Sequence, residues 1–246
     1  MEKTLHLFRF NTKDMRYRSR FIMAIFFVML VIGQLLPKPG HTQVLNEANK
    51  KRISIAFGLF TDIWPNLPSG MKTRTINQGV NVFATYNLPF GKSNFGFSVG
   101  LGIRIHNLYW NYMFQGNTAD TFQFVQIPDS IGYNRSKLTM PYLELPIEFR
   151  FKTKYKLSVG IGFKIGYMVY AHTKWVGDDY LYQSPDRLRV SFKNIQNIEH
   201  FSYGPTLRIG YKWFHINAYY SLSNIFTKDK GPQIAPISIG FLLMPF

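Results

Sequence analysis

The amino-acid sequence predicts an all-β fold, an eight-stranded antiparallel up-and-down transmembrane β-barrel that is preceded by a signal peptide. Three features support this prediction: long two-faced strands, connections that alternate between short and long, and an apolar segment near the N-terminus. The clearest strand begins at Phe95, where an apolar residue at every second position alternates with Gly, Ser, Arg or His. Residues 157–170 repeat the pattern. Because transmembrane strands need about 9–11 alternating residues, both segments are long enough to span a membrane.

The N-terminal segment has the pattern of a secretory signal peptide. Basic residues precede an apolar run at 21–36, which ends before Pro37. We expect cleavage near Thr42-Gln43, so that 1–42 is the signal peptide, 43–52 a short periplasmic tail and 53–246 the barrel domain. The alternative is a retained membrane anchor, although the run is slightly short for a spanning helix of about 20 residues.

Eight strand candidates follow the tail, and each has one apolar face. In the first two, Ile, Val, Phe and Leu alternate with Ser, Gly, Asn and Thr, whereas the fourth alternates with Glu, Arg and Tyr. The last three return to Gly, Ser, Asn and Thr, with an occasional Arg or His. The candidates are 53–61, 79–88, the strand from Phe95, 138–151, the strand from Leu157, 200–211, 214–223 and 235–246.

The connections between these strands alternate in length. Those after the second, fourth and sixth strands are short, and the sixth ends in a tight turn around Lys212-Trp213. The long connections are 62–78, 111–137, 171–199 and 224–234. Outer-membrane barrels have short periplasmic turns and longer extracellular loops, so we expect all four long loops outside the cell.

The bulky face of each strand is predicted to point outward, because an eight-stranded barrel has little interior space and small polar residues suit it. The alternative is a soluble lipocalin-like barrel with its apolar face inside. Aromatic residues near the strand ends are expected to form two interfacial girdles. The turn-side set is Phe90, Phe95, Phe151, Tyr155, Tyr211, Trp213 and Phe214, and the loop-side set is Trp64, Tyr109, Trp110, Tyr112, Tyr170 and Trp175.

The composition excludes some chemistry. The chain contains no Cys, which removes disulfides, thiolate metal sites and cysteine nucleophiles. A formal net charge of +16 invites comparison with nucleic-acid-binding proteins. The basic residues are scattered over turns and loops, however, and no nucleic-acid partner is expected.

The sequence resembles the PorT-like outer-membrane β-barrel proteins of Bacteroidetes. The resemblance rests on Pro-Tyr-Leu-Glu-Leu-Pro-Ile-Glu-Phe-Arg-Phe at 141–151, the Gly-rich strand at 159–166, the signal ending at Thr42-Gln43 and the terminal Phe246. It implies an eight-stranded outer-membrane barrel. Some members of that family serve type IX secretion and gliding, so an accessory role in an envelope or secretion assembly is one expectation.

A lumen ionic network is predicted, because six charged residues alternate with the apolar residues of their strands and should point into the barrel. Its members are Arg104, Glu144, Glu148, Arg150, Lys164 and Arg208. A catalytic pair of carboxylates is the alternative interpretation of Glu144 and Glu148, but buried charges in so narrow a barrel are expected to pair and to stiffen it. At Gly162, which shares this face, we expect room for a small polar side chain.

No cofactor, metal site or enzymatic activity is expected. His106, His172 and His200 lie near the predicted loop-side rim, but they lack the close spacing of a metal motif. A lipid-modifying enzyme using His106 and a loop Ser remains an alternative, as does a narrow pore or small-ligand-binding barrel.

The third long loop is the expected interaction site, because loops carry the specificity of such barrels. The candidates are Trp175, Asp178, Asp179, Tyr180 and Arg187. The leading hypothesis is a structural or interaction role. The expected partners are outer-membrane lipid and other envelope proteins.

Overall fold

A computed structural model of the chain describes residues 52–116, 123–179, 187–193 and 195–244. The predicted signal peptide and all of the tail except Arg52 lie outside these residues. Within the described ranges, no helix is long and apolar enough to cross a membrane.

The regular structure of the described residues consists of β-strands. Their bounds are β1 Ile53–Ile63, β2 Gln78–Pro89, β3 Phe95–Tyr109, β4 Tyr112–Gly116, β5 Gln123–Gln126, β6 Tyr133–Lys152, β7 Leu157–Met168, β8 His172–Asp178, β9 Arg187–Lys193, β10 Phe201–Tyr211, β11 Phe214–Tyr220 and β12 Ile237–Leu243.

Eight of these strands form a closed antiparallel ring. Each is hydrogen-bonded to its neighbours in the order β1, β2, β3, β6, β7, β10, β11 and β12, and β12 pairs with β1 to close the ring. The longest contact joins β3 to β6, from Phe95 opposite Phe151 to Tyr109 opposite Lys137. The predicted eight-stranded barrel is therefore confirmed.

Two loops contain strands that the sequence analysis did not predict. The segment 111–137 holds the β4–β5 hairpin, and 171–199 holds the β8–β9 hairpin. These strands have only four to seven residues each, too few for a clear alternation among polar neighbours. β8 also pairs with the end of β6, so a three-stranded sheet extends beyond the barrel. We call the sheet formed by 133–139, β8 and β9 the loop-end extension.

A bulge connects the barrel to this extension. On β6, Tyr142 lies opposite Met168 of β7, and Thr139 lies opposite His172 of β8. Two β6 residues, 140 and 141, therefore face the three residues 169–171. This one extra residue changes the outward positions from odd to even residue numbers. The outward side chains of β7 have odd numbers, whereas those of β8 have even numbers.

The outer surface of the ring is apolar. On this surface Leu59 is 68% exposed, Ile161 is 64% exposed and Phe149 is 62% exposed. The alternate positions point inward and are buried, among them Asn81, Thr85 and Ser202. An inside-out arrangement of this kind excludes the lipocalin-like alternative, whose outer surface must be polar.

Aromatic residues surround the turn end as expected, but most of the predicted loop-side girdle is wrong. At the turn end Phe95, Tyr155 and Trp213 are all exposed. At the loop end Trp64, Trp110 and Trp175 are buried because they pack inside the folded loops, and Tyr109 is buried with Arg74 and Lys137 against its ring. Of the predicted set, Tyr170 is exposed. The other exposed aromatic residues at this end come from the strands: Tyr167, Phe201, Tyr203 and Tyr220.

The expected room at Gly162 is absent. A Cβ atom there would overlap the carbonyl oxygen of Ile147 on β6 and press against Thr206 on β10. Only glycine permits the strands to approach so closely, and a serine would force the backbone apart.

Candidate functional site

The centre of the barrel interior holds a buried three-member ion cluster. Arg104 on β3 lies with its Nε 3.2 Å from Glu144 Oε2 on β6. Lys164 on β7 places Nζ 3.4 Å from the other oxygen, Oε1. Only 1% of Glu144 is exposed, and Arg104 is equally buried. All three residues occupy inward positions in the alternation of their strands. The pairing of β6 with β3 and with β7 then brings them to the same level of the barrel.

Aromatic and hydroxyl groups complete this central cluster. The Arg104 guanidinium lies over the Tyr219 ring, with its Cζ 4.1 Å from the ring centroid. Arg104 Nη2 also donates to Ser202 Oγ at 3.4 Å, and Ser202 Oγ and Tyr219 Oη are 2.8 Å apart. Cation–π contact and these hydrogen bonds partly replace the solvation that the guanidinium loses on burial.

A second ion cluster lies nearer the turn end. Glu148 accepts from two cations, Arg150 through Nε at 2.7 Å and Arg208 through Nη2. Arg150 also donates to Thr85 Oγ1 at 3.1 Å and to Asn87. The structure thus brings the six predicted network residues together in two groups of three.

A third polar cluster, nearer the loop end, includes residues that sequence reasoning missed. His106 Nδ1 lies 2.6 Å from Asp62 Oδ2, and Ser238 donates to Asp62 Oδ1 at 2.6 Å. Asp62 is completely buried. The predicted first strand ended at Thr61, one residue before it. Its even number, shared with the inward residues of β1, is the signal that could have found it.

The loop end of the barrel is closed by packed apolar side chains. Residues from β3, β6, β7 and the four long loops form one buried cluster: Trp64, Met71, Leu108, Trp110, Phe114, Leu138, Met140, Tyr142, Met168, Ala171, Ile195, Ile198, Ile225, Phe226 and Ile234. A small cavity of about 10 Å³ borders this cluster and His106. A cavity needs about 10–15 Å³ to hold one water molecule, so this one is too small for a ligand.

The arrangement of charges suits packing better than chemistry. Glu144 and Glu148 each contact two cations, so neither is placed as a free general base. In the described ranges, no three His, Asp or Glu residues gather closely enough to hold a metal ion. The remaining predicted rim histidines are separate: His172 stacks on Tyr170, whereas exposed His200 lies beside Tyr167.

The loop interaction candidates occupy different environments. Arg187 and Asp178 are exposed and lie opposite each other on β9 and β8, and Asp178 Oδ2 accepts from the Gly132 N–H at 2.7 Å. Asp179 is partly buried. Trp175 is only 4% exposed and packs with Met113 and Ile127, so its position does not offer it to a partner. Tyr180 lies outside the described residues.

The closed ring, its apolar exterior and its charge-filled interior define a transmembrane β-barrel of the outer-membrane class. A family model described as "Outer membrane protein beta-barrel domain" matches residues 30–227, and the chain belongs to this family. This membership places the protein in the outer membrane.

Other comparisons add little detail. Among curated proteins, none gives a significant match. Among solved structures, Ail, the attachment invasion locus protein of Yersinia pestis, is 14% identical over 78% of this chain and 95% of its own, with a TM-score of 0.37. A mutant of Rh. blastica porin is 8% identical over 78% of this chain and 99% of its own, with a TM-score of 0.20. Similarity this low supports no inference about function.

Proposed function

We propose that this protein is a non-enzymatic outer-membrane barrel with a structural or interaction role, acting as an accessory component of an envelope assembly. The observation that carries the proposal is the filled interior. Two ion clusters, a buried Asp–His pair and an apolar cluster follow one another from the turn end to the loop end. A barrel filled in this way offers its loops and outer surface to other molecules rather than its lumen.

Type IX secretion is the assembly that we favour. Its support is the resemblance of 141–151 to the PorT-like barrels of Bacteroidetes. In this chain the segment supplies Glu144, Glu148 and Arg150, so its polar residues have a packing role inside the barrel. The exposed face of the loop-end extension, which includes Asp178 and Arg187, is then the available contact surface, since loops usually carry specificity on a rigid scaffold.

Removal of the hairpin is expected to weaken a partner complex while the barrel still folds. In the variant, a Gly/Ser linker replaces 174–192, whose described residues belong to β8 and β9 or adjoin them, outside the ring of eight barrel strands. The measurement is co-purification of stoichiometric partners from native membranes, with heat-modifiable gel migration to report folding. In the matched control, a linker replaces the other loop hairpin, 112–126. An unchanged complex in the first variant would assign the interaction elsewhere, with the turn-end residues Lys152 and Lys154 tested next.

The purified barrel is expected to show no single-channel conductance in planar bilayers. Arg104, Glu144 and Lys164 are each at most 5% exposed, and their side chains fill the middle of the interior. An eight-stranded barrel has room for little more than its own side chains. Regular conductance steps that disappear after heat denaturation would instead support the narrow-pore alternative.

A further inference from the structure

The loop-end extension has one apolar face and one cationic face. Its inner face packs Trp175, Leu188 and Val190 against the residues around the β4–β5 hairpin. Its outer face holds the alternate residues of the three strands. The cations on that face are Arg135, Lys137, Lys174, Arg187, Arg189 and Lys193. Among the described strand residues of the face, one carboxylate, Asp178, accompanies them.

The positive charges on this face are poorly compensated. Within the described ranges, no carboxylate forms an ion pair with Arg135, Lys137, Lys174 or Arg189. Burial together with Arg135 and Lys174 lowers the pKa of Lys137 from its ordinary value. Mutual repulsion of this kind is relieved by an anion that contacts several cations at once.

Local contacts hold part of this charge in place. Lys137 Nζ donates to Asn107 Oδ1 at 2.7 Å and lies 5.5 Å from the centroid of the Tyr109 ring. The Arg74 guanidinium contacts the same ring, with its Cζ 4.5 Å from the centroid. Tyr109 therefore organises two cations from different segments, and it extends the cationic face toward β3.

The cationic face lies on the same side of β6 as the membrane-facing surface. Along this side, exposed Leu145 is followed toward the loop end by Leu143, by the buried Pro141 and Thr139, and then by Lys137 and Arg135. Exposed Tyr167 on β7 is the aromatic residue between the apolar and cationic regions. The order from apolar to aromatic to cationic matches the order from hydrocarbon to interface to charged headgroup in a membrane.

We propose that the outer face of the loop-end extension binds the phosphate groups of phosphorylated lipid in the outer leaflet. Lys137, Lys174 and Arg189, one on each strand of the sheet, form its centre. Lipid phosphates lie just outside the hydrocarbon core, at the level where these side chains leave it. The inference rests on the outer-membrane assignment and not on the proposed protein partner.

The test compares two triple variants of the folded full barrel. In the first, Lys137→Gln, Lys174→Gln and Arg189→Gln remove three charges from the face. In the control, Lys92→Gln, Lys152→Gln and Lys154→Gln remove three exposed charges at the turn end. Binding of bisphosphorylated lipid A, supplied in neutral detergent micelles, is measured by native mass spectrometry and by titration of a fluorescent analogue.

We expect the first variant to bind at least about tenfold more weakly than the wild type and the control to change less than about twofold. Wild-type binding should also weaken with added NaCl, because exposed charges are screened. Equal affinity for dephosphorylated lipid A, equal losses in both triple variants or no dependence on salt would overturn the proposal. A soluble polyphosphate that binds the wild type more tightly than lipid A would assign the face to a soluble polyanion instead. Lipid binding is measured on the purified barrel without other proteins, whereas the proposed function is tested by partner co-purification with the hairpin deletion, so either proposal can fail without the other.

Discussion

Replacing Glu144 with Gln is expected to lower the free energy of unfolding of the barrel by about 3–5 kcal/mol. The carboxylate is 1% exposed and contacts both Arg104 and Lys164. Glutamine keeps the volume of the side chain but removes its charge, so two cations would remain in the interior without a counter-charge. The measurement is a urea titration of the barrel folded into lipid vesicles, followed by heat-modifiable migration.

Glu148→Gln is the matched control, because it removes the same charge from the same strand. The Glu148 side chain is 12% exposed and its partner Arg150 is 18% exposed, so water can solvate Arg150 after the substitution, whereas the other partner, Arg208, is only 6% exposed. We expect a loss of about 1–3 kcal/mol there. Equally small losses in both variants would mean that water reaches the central cluster. Loss of a measurable enzymatic activity without loss of stability would instead support a catalytic role for Glu144.

Ile161→Arg should be the other strongly destabilising change, with a loss of about 2–4 kcal/mol. Ile161 lies in the middle of β7, is 64% exposed and pairs with Phe149 and Leu207 on the two neighbouring strands. An arginine at this position would place its charge among lipid chains near the bilayer middle. The same vesicle-based urea titration measures the effect.

Tyr155→Arg tests whether depth causes that loss. Tyr155 is 86% exposed in the turn between β6 and β7, where a charge reaches water. The expected loss is less than about 1 kcal/mol. If both arginine variants lost the same stability, the apolar band would not be the surface that contacts lipid.

The two-residue alternation of the strands and the alternation of short and long connections were sufficient to predict the ring of eight strands. A membrane permits few other folds for long strands with one apolar face, because every backbone hydrogen bond must be formed within the protein. The same reasoning failed in the loops. There Trp110 and Trp175 contribute to internal clusters, and aromatic residues near a strand end look the same in sequence whether they face lipid or pack inside. Their burial depends on hairpins held by tertiary contacts, which carry only weak local signals.

The alternation of inward and outward side chains along each strand also explains which interior residues could be predicted. It places Arg104, Glu144 and Lys164 on inward faces, but the register between strands decides which charges meet. Glu144 lies opposite Gly102 on β3 and Gly166 on β7, so its partners reach it diagonally from positions two residues away. Such diagonal contacts need the three-dimensional register, which alternation within a single strand does not encode.

The bulge at 169–171 lets the chain change length by one residue without exchanging the faces of the loop-end extension. Tyr142 lies opposite Met168 and Thr139 lies opposite His172, so deleting one of the three residues 169–171 would leave two residues opposite 140 and 141 in a regular ladder. Trp175 would then stay on the inner face and Lys174 on the outer face. Because a bulge bends its strand and increases the local twist, the deletion would change the direction in which the extension leaves the barrel rather than the chemistry of its surface.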